Sequence, residues 1–297
     1  MRHINRNLPF LLRRTFLASI DDGLWGTAKG AAYSALLSFF PVLTSMAVIL
    51  VQTGARYIQN NLYHFLTRVL PPGTEDVVLQ QFRVRGQKPV GLLVVAFALS
   101  LWAASSVVKS LIDGFNAAYR VPRNRSIAGH IGMGLMLVIF AGIPLLGASS
   151  LILFGGAIER GMLKLMRVDP ALNPLEGWLR WLAQVMRYVI AFSATSSLMA
   201  MLYYYGPNRR QRWKAVWPGA FLATILWLLA TLGFGWYVRN ISNYNLLYGS
   251  VGTSIALLSW MYILALIALF GCEFNAEAER MEFALEALEA NETTTRA

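Results

Sequence analysis

Long apolar segments recur along the whole chain and constrain its fold more than any other feature. Six of these segments reach roughly 20 residues or more, near 28–53, 90–113, 131–157, 180–205, 215–238 and 249–275. A helix of about 20 residues crosses the hydrocarbon core of a bilayer. The segments lack the dyad alternation that marks the shorter strands of a membrane β-barrel. The sequence therefore predicts an all-α polytopic membrane protein with six transmembrane helices.

Little of the chain is left for a water-soluble domain. Hydrophobic residues make up 56% of the 297 residues and charged residues only 14%, a balance outside the range of soluble domains. We therefore predict one membrane domain over residues 28–276. It is preceded by a cytoplasmic segment at 1–27 and followed by an acidic cytoplasmic tail at 277–297.

Two further segments have the pattern of amphipathic helices that lie on a membrane surface. In residues 1–27, apolar side chains share a helical face opposite Arg13 and Arg14. They are Leu8, Leu11, Leu12, Phe16 and Ile20. The loop at 54–89 has a second apolar helical face, which a Pro-Pro-Gly sequence ends. It is predicted to form an amphipathic hairpin on the outer surface.

The net charge of +11 reflects membrane topology rather than a nucleic-acid partner. Two short loops, after the second and fourth predicted spans, are rich in basic residues and nearly free of acids. These residues are Arg120, Arg123 and Arg125, then Arg209, Arg210, Arg212 and Lys214. Such loops stay in the cytoplasm by the positive-inside rule. Because six is an even number of spans, both termini are predicted to be cytoplasmic, and no nucleic-acid partner is expected.

The second predicted span contains two charges one helical turn apart. Lys109, Asp113 and Asn116 share one face at i, i+4 and i+7, and Ser105 and Ser106 lie about one turn earlier. A charge at mid-bilayer costs about 2.5–3.5 kcal/mol on insertion scales, so this face cannot meet lipid unsatisfied. Either the face lines a polar cavity, or the span ends near Lys109 and leaves a Lys–Asp pair at the cytoplasmic boundary, where lysine reaches water.

Three more polar residues are candidates for the same cavity. Arg187 lies inside the fourth predicted span, and Glu273 and Asn275 lie near the inner end of the sixth. Each also has a structural interpretation, since Arg187 can extend to water and Glu273 can pair with a loop arginine such as Arg120. Cys272 is the only cysteine and the three histidines are scattered, so neither a metal nor a cofactor is expected.

Four segments carry distinctive motifs. They are AAYSALLSFFPVL at 31–43, LWAASSVVKSLIDGFNAAYRVPRNR at 101–125, YYYGPNRRQRWKAVWPGAFLATILW at 203–227 and YNLLYGSVGTSIALLSWMYILALIALFGCEFNAEAER at 244–280. Together they resemble the YihY/BrkB family of bacterial inner-membrane proteins, once named ribonuclease BN. The positions that match the family pattern are Trp102, Ser105, Ser106, Asn116, Tyr119, Pro207, Asn208, Arg209, Tyr248, Gly249, Ser250, Gly271, Glu273 and Asn275.

The resemblance implies six membrane helices in the bacterial inner membrane and a role in the cell envelope. In the family pattern, the positions of Lys109 and Asp113 vary more than the others. This shifts interest within the candidate cavity to Asn116, Glu273 and Asn275.

Lipid handling is the function that these features favour. The chain is predicted to transport a phospholipid or a lipopolysaccharide precursor, or to facilitate its movement, through a polar intramembrane cavity. Its expected partners are membrane lipids, with envelope lipid-transport proteins as further candidates, and the oligomeric state stays open. Two alternatives also remain, a secondary ion or solute transporter and a non-transporting scaffold of an envelope complex.

An enzyme is not expected. A metal-dependent ribonuclease needs clustered His, Asp or Glu ligands on a soluble face. The three histidines of this chain, His3, His64 and His130, lie in separate segments. The sequence therefore argues against nuclease activity.

Overall fold

The structure, a computed structural model, describes residues 8–52, 90–122, 126, 128–140, 176–240 and 250–296. Within these ranges the regular elements are seven α-helices, and no strand occurs. In chain order they are α1 (Leu8–Asp21), α2 (Leu24–Gln52), α3 (Val90–Ala118), α4 (Ala128–Phe140), α5 (Glu176–Tyr205), α6 (Trp213–Asn240) and α7 (Ser250–Arg296). The predicted all-α class is confirmed for this part of the chain. The predicted hairpin at 54–89 and the second half of the third predicted span, 141–157, lie outside the described residues.

Three described helices are long and apolar enough to cross a bilayer, judged by length and composition. They contain the segments Gln184–Tyr205 of α5, Trp213–Tyr237 of α6 and Ser254–Leu288 of α7. Helices α2 and α3 have 29 residues each, a length of about 43 Å at 1.5 Å per residue. The total of six transmembrane helices stays a prediction.

The bundle is well packed at the end where α2 and α6 begin and α3 and α5 finish. Phe115 of α3 and Tyr203 of α5 are fully buried there, in one apolar cluster with Val216 of α6 and Leu269 of α7. The Tyr203 ring meets the Phe115 ring edge-on, with 5.4 Å between centroids. The Tyr203 hydroxyl donates to a backbone carbonyl of α7 at 2.7 Å. Since a buried phenol needs a partner, this hydrogen bond fixes α5 to α7.

Helix α3 ends in a cap that glycine usually forms. Arg120 has a φ of 54°, and its N–H donates to the carbonyl of Ala117 at 2.8 Å. The N–H of Val121 donates to the carbonyl of Asn116 at 2.9 Å. This is the Schellman arrangement of a helix C-terminus. The Arg120 side chain also bonds the Asp22 carboxylate, with 3.1 Å between Nε and Oδ1, and so joins the end of α3 to the turn between α1 and α2.

Helices α6 and α7 approach closely because a glycine of each faces the other. A Cβ atom at Gly219 would lie 2.0 Å from the carbonyl oxygen of Gly271. A Cβ atom at Gly271 would lie 2.7 Å from the carbonyl oxygen of Gly219. Lipid offers no hydrophobic drive for helix association, so close packing of small residues takes that role. Side chains at these two positions would separate the helices.

Helix α7 is one continuous element of 47 residues, about 70 Å long. It therefore exceeds a bilayer of about 40–45 Å including the head-group regions. The sequence pattern predicts a membrane domain that ends at residue 276 and a tail that begins at 277. In the structure the helix runs through that point without a break.

One face of α6 is apolar and exposed. Phe221, Ile225, Leu228, Leu229, Leu232 and Trp236 are all exposed large hydrophobic residues. Their spacing, i, i+4, i+7, i+8, i+11 and i+15, places them on one side of the helix. A soluble protein rarely exposes so long an apolar stripe, whereas a lipid-facing helix requires one.

The apolar residues of helix α1 lie on two different faces, one packed against α7 and one exposed. Leu11 is fully buried and packs with Phe274 and Ala278 of α7, whereas Phe16 and Ile20 are exposed. The apolar residues predicted to share one membrane-facing surface are therefore divided between the bundle and the outside. The helix itself is confirmed, and its position on a membrane surface stays a prediction.

Replacement of Gly219 by alanine should destabilise the bundle, because the added methyl group would meet the Gly271 carbonyl. We expect a loss of about 1–3 kcal/mol in the free energy of unfolding, the usual cost of overpacking. The matched control is Gly233→Ala on the same helix, where an added Cβ meets nothing within 4 Å. Unfolding of the detergent-solubilised variants by dodecyl sulfate measures the difference. Equal stabilities of the two variants would contradict the close crossing.

Candidate functional site

A polar cleft lies between the start of α2 and the end of α3. Its volume is about 480 Å³, within the range of small-molecule sites. The lining residues are Thr27 and Gly30 of α2, Ser110, Asp113, Asn116 and Ala117 of α3, and Val121. Two of the residues singled out in the sequence, Asp113 and Asn116, therefore share one concave surface.

Asp113 and Lys109 have different neighbours. Asp113 Oδ1 lies 3.6 Å from Nε2 of His130, at the start of α4. The Lys109 stem passes over Gly134 of α4, where an added Cβ would lie 3.1 Å from Lys109 Cγ. Lys109 thus packs towards α4, while Asp113 lines the cleft. The two charges contact different parts of α4 although they are one turn apart on α3.

Ser105 and Ser106 use their hydroxyl groups within α3. The Ser105 hydroxyl donates to the carbonyl of Trp102 at 2.7 Å, and the Ser106 hydroxyl donates to the same carbonyl at 3.4 Å. Such local bonds satisfy a hydroxyl group in an apolar helix. Ser105 is fully buried, and a Cβ atom at Gly134 would lie 3.2 Å from the Ser105 backbone carbonyl oxygen, so Ser105 packs against α4.

Asn116 connects α3 to the loop between α5 and α6. Its side chain is 4% exposed, and Oδ1 accepts a hydrogen bond from the backbone N–H of Asn208 at 2.7 Å. Next to Asn208, the guanidinium of Arg209 stacks 4.5 Å above the Tyr119 ring and bonds Glu279 of α7 at 2.5 Å. Burial raises the pKa of the Tyr119 hydroxyl well above its ordinary value, so this ring stays neutral beneath the cation.

Asn275 clamps α6 on both sides of a proline. Its Oδ1 accepts from the N–H of Gly219 at 2.7 Å, and its Nδ2 donates to the carbonyl of Val216 at 3.0 Å. Pro218 lies between these two residues and disturbs the hydrogen-bond ladder of α6, because it has no N–H to donate. The amide of Asn275 supplies one acceptor and one donor where the helix is irregular. Its role in the structure is to hold α6 against α7.

Glu273 belongs to a buried ionic network rather than to the cleft. It is fully buried, and its Oε1 lies 3.3 Å from Nη1 of Arg280. The other oxygen, Oε2, has no hydrogen-bond partner among the residues the structure describes. Arg280 also pairs with Glu277, which in turn pairs with Arg14 of α1. The loop arginine considered from the sequence, Arg120, bonds Asp22 instead.

This ionic network was missed by sequence reasoning, which assigned residues after 276 to a tail. Glu273, Glu277 and Arg280 fall at i, i+4 and i+7 and so share one face of α7. Arg280 extends from that face to the end of α3, where Nη2 donates to the carbonyl of Ala118. The i, i+4, i+7 spacing of these three residues was the sequence signal that could have revealed the network. No local sequence pattern indicates the contact between Glu277 and Arg14.

Arg187 lies on α5, between Glu176 and Tyr205. Its side chain is outside the described part of the structure. Its predicted place in the cavity therefore stays a prediction.

The long apolar helices and their exposed apolar faces define an α-helical membrane protein. More particularly, the chain belongs to the BrkB family, because the profile of that family, described as Virulence factor BrkB, matches residues 16–295. The resemblance noted from the sequence motifs is confirmed.

Bacterial relatives cover most of the chain. The ribonuclease-like protein YfkH of Bacillus subtilis is 29% identical over 269 residues, which span 84% of this chain and 89% of YfkH. A UPF0761 membrane protein of Pseudoalteromonas translucida is 24% identical over 258 residues, 86% of this chain and 82% of that protein. Another, from Vibrio vulnificus, is 28% identical over 249 residues, 82% of this chain and 74% of that protein. No solved structure matches the chain.

The name of the Bacillus relative refers to ribonucleases, whose metal-dependent members cluster acidic and histidine ligands. In the described ranges of this chain, no group of three or more His, Cys, Asp or Glu residues could hold a metal ion. The acids in the buried middle of α7 are paired with arginine, Arg280 with Glu273 and with Glu277.

Loss of Arg280 should destabilise the protein strongly. Arg280→Met would leave Glu273 and Glu277 buried without their shared cation, which costs about 3–5 kcal/mol. The matched control is Arg210→Met, which removes an exposed arginine. Arg280→Lys should recover part of the loss, because it restores the charge but not the second hydrogen bond to Ala118. The unfolding temperatures of the three variants are measured in detergent. If Arg280→Met unfolds at the same temperature as Arg210→Met, the network does not stabilise the fold.

Proposed function

We propose that this protein is a multi-pass protein of the bacterial inner membrane that binds lipids and facilitates their movement. In this proposal it has six transmembrane helices and two cytoplasmic termini. Its substrate is a phospholipid or a lipopolysaccharide precursor, and the cleft between α2 and α3 receives the polar part of that lipid.

The observation that carries the proposal is the division of one face of α3 into two halves. Val95, Leu99 and Trp102 are exposed large hydrophobic residues. At i+11 to i+22 from Val95 the same face continues through Ser106 and Ser110 to Asp113 and Ala117, the last three of which line the cleft. Helical periodicity places these seven positions in one stripe. A surface that is apolar at one end and polar and concave at the other is complementary to a lipid.

The packing at one end of the bundle supports the proposed topology. The starts of α2, α4 and α6 meet the ends of α3 and α5 there, together with the middle of α7. Helices that alternate in direction across a membrane bring their ends together in this way. The basic residues near this end, such as Arg210, Arg212 and Lys214, are exposed. They suit the anionic surface of a cytoplasmic leaflet.

Cysteine labelling tests the topology. In a Cys272→Ala background, Arg13→Cys and Glu286→Cys place thiols at exposed positions near opposite ends of the chain. A membrane-impermeant maleimide should label both in inside-out vesicles and neither in right-side-out vesicles. Leu232→Cys, which is 71% exposed on the apolar face of α6, should stay unlabelled in both because lipid covers it. Labelling of the two termini from opposite sides would exclude an even number of spans.

Leaflet exchange tests the lipid function. Gly30 lines the cleft, and an added Cβ there meets nothing within 4 Å, so Gly30→Trp should fill the cleft without disturbing the bundle. The matched control is Gly26→Trp, one turn earlier on α2 and equally open. In proteoliposomes with a labelled phospholipid, we expect Gly30→Trp to slow exchange by about tenfold or more, equivalent to ~1.4 kcal/mol of barrier. Gly26→Trp should match the unmodified protein.

Other outcomes of the same assay distinguish the alternatives. Ion flux without lipid exchange, followed with a dye in the same vesicles, would favour a secondary transporter. Neither lipid nor ion movement by a correctly folded protein would favour a scaffold of an envelope complex.

A further inference from the structure

The loop between α5 and α6 presents its basic residues in an alternating pattern. Arg209 and Gln211 contact the bundle, since Arg209 bonds α7 and Nε2 of Gln211 donates to the backbone carbonyl of Tyr203 at 3.1 Å. Arg210 and Arg212, which alternate with them along the chain, are exposed. The inward side chains fix the loop, so the two outward arginines project from a backbone that is already held in place.

A series of aromatic rings follows the seam between α5 and α6 from the end of this loop. The Trp213 ring meets Tyr204 of α5 with 5.0 Å between centroids and meets Trp217 with 6.0 Å. Trp217 contacts Phe221 at 5.3 Å, and Phe221 stacks on Phe192 of α5 at 6.1 Å. The three α6 rings fall at i, i+4 and i+8 and so share one face of the helix. We call Tyr204, Trp213, Trp217 and Phe221 the aromatic ladder.

The aromatic ladder leads from the exposed cations into the lipid-facing stripe of α6. Trp213 is exposed between Arg212 and Lys214, which are exposed as well, and Phe221 is the first residue of the exposed apolar stripe. The rise from Trp213 to Phe221 is about 12 Å, less than half of a hydrocarbon core about 30 Å thick. Tryptophan and tyrosine favour the head-group level of a bilayer. This end of α6 therefore combines cations at the level of lipid phosphates with rings at the level of acyl chains.

We propose that Arg210, Arg212, Lys214 and the aromatic ladder bind an anionic phospholipid in the leaflet at this end of the bundle. The phosphate oxygens accept hydrogen bonds from the guanidinium and ammonium groups, and the acyl chains pack along the exposed side of the ladder. None of these residues is among the described lining of the cleft. The site goes beyond the lipid movement proposed above, since it requires only that α6 crosses a membrane.

The continuation of the ladder favours a lipid over a nucleic acid. Cations beside aromatic rings also suit single-stranded RNA, whose bases stack on ring faces in water. Here the face of α6 that carries the rings continues through exposed Ile225 and Leu228, within a segment long and apolar enough to cross a bilayer. Bases that followed the ladder would enter hydrocarbon, whereas acyl chains remain in their own environment there.

Lipid binding to the detergent-solubilised full chain, followed by native mass spectrometry, tests the proposal. The probes are phosphatidylglycerol and phosphatidylcholine with identical acyl chains, and we expect phosphatidylglycerol to bind better. The double variant Arg212→Gln/Lys214→Gln should weaken phosphatidylglycerol binding by about tenfold or more and leave phosphatidylcholine binding unchanged.

A charge-matched control separates this site from net charge. Arg13→Gln/Lys29→Gln removes two exposed cations of α1 and α2 and should retain the preference for phosphatidylglycerol. An equal loss of phosphatidylglycerol binding in the two double variants would overturn the proposal, because net charge alone would then explain it. Equal binding of the two lipids to the unmodified protein would overturn it as well.

Tryptophan quenching tests the position of the acyl chains. Phosphatidylglycerol with brominated chains should quench the fluorescence of the protein more than brominated phosphatidylcholine does. Trp213→Phe/Trp217→Phe keeps two rings in place and should abolish this difference. The matched control is Trp236→Phe, an exposed tryptophan near the other end of α6, which should preserve it. A difference that survives the loss of Trp213 and Trp217 would place the lipid elsewhere.

Two competitors identify the class of ligand. Displacement of phosphatidylglycerol by equal concentrations of acyl-free glycerophosphoglycerol would overturn the assignment to a lipid. Displacement by a short single-stranded RNA at equal concentration would overturn it in favour of a nucleic acid.

The cleft variant distinguishes this proposal from the lipid movement proposed above. Gly30→Trp, which fills the cleft, should retain the preference for phosphatidylglycerol, and its loss there would contradict a separate site. Absence of leaflet exchange by the unmodified protein would contradict lipid movement, whereas selective phosphatidylglycerol binding in the same preparation would still support the site on α6.

Discussion

The guanidinium of Arg280 is the contact on which the packed end of the bundle depends. It bonds Glu273 and Glu277 of its own helix and the last carbonyl of α3. Glu277 in turn binds Arg14, so α1, α3 and α7 meet around one cation. Two carboxylates buried in a membrane protein are tolerated only when such a partner neutralises them. Helix α1 is therefore a structural part of the bundle.

Around this network, small and polar residues compensate for irregular backbone. Pro218 disturbs α6 near its start, and Asn275 binds the backbone on either side of it. The facing glycines 219 and 271 make this possible, because they bring the Asn275 side chain within hydrogen-bonding distance of α6. The motif Gly-Cys-Glu-Phe-Asn at 271–275 thus combines a close crossing, a buried ion pair and a backbone clamp. Its residues serve the architecture, and the cleft lies elsewhere.

The candidate site was partly accessible from the sequence. Helical spacing placed Lys109, Asp113 and Asn116 on one face of α3, and the structure brings Asp113 and Asn116 to one cleft. Lys109 turns to α4 because Gly134 leaves room for its stem, a contact between helices that spacing along one helix cannot reveal. Ser110 and Thr27 were not singled out, since a hydroxyl becomes a site residue only when a neighbouring helix encloses it.

The helical class, the apolar segments and the family can all be read from the amino-acid sequence, because hydropathy and motif spacing are local properties of the chain. The pairing of polar residues follows only from the packing of the helices. Arg14 with Glu277, Asn116 with Asn208, and Asp22 with Arg120 join residues far apart in the chain. Each pairing depends on the direction and crossing of whole helices. A buried polar group forms its hydrogen bond with the partner that helix packing places within about 3 Å. Residue spacing along one helix does not encode that packing.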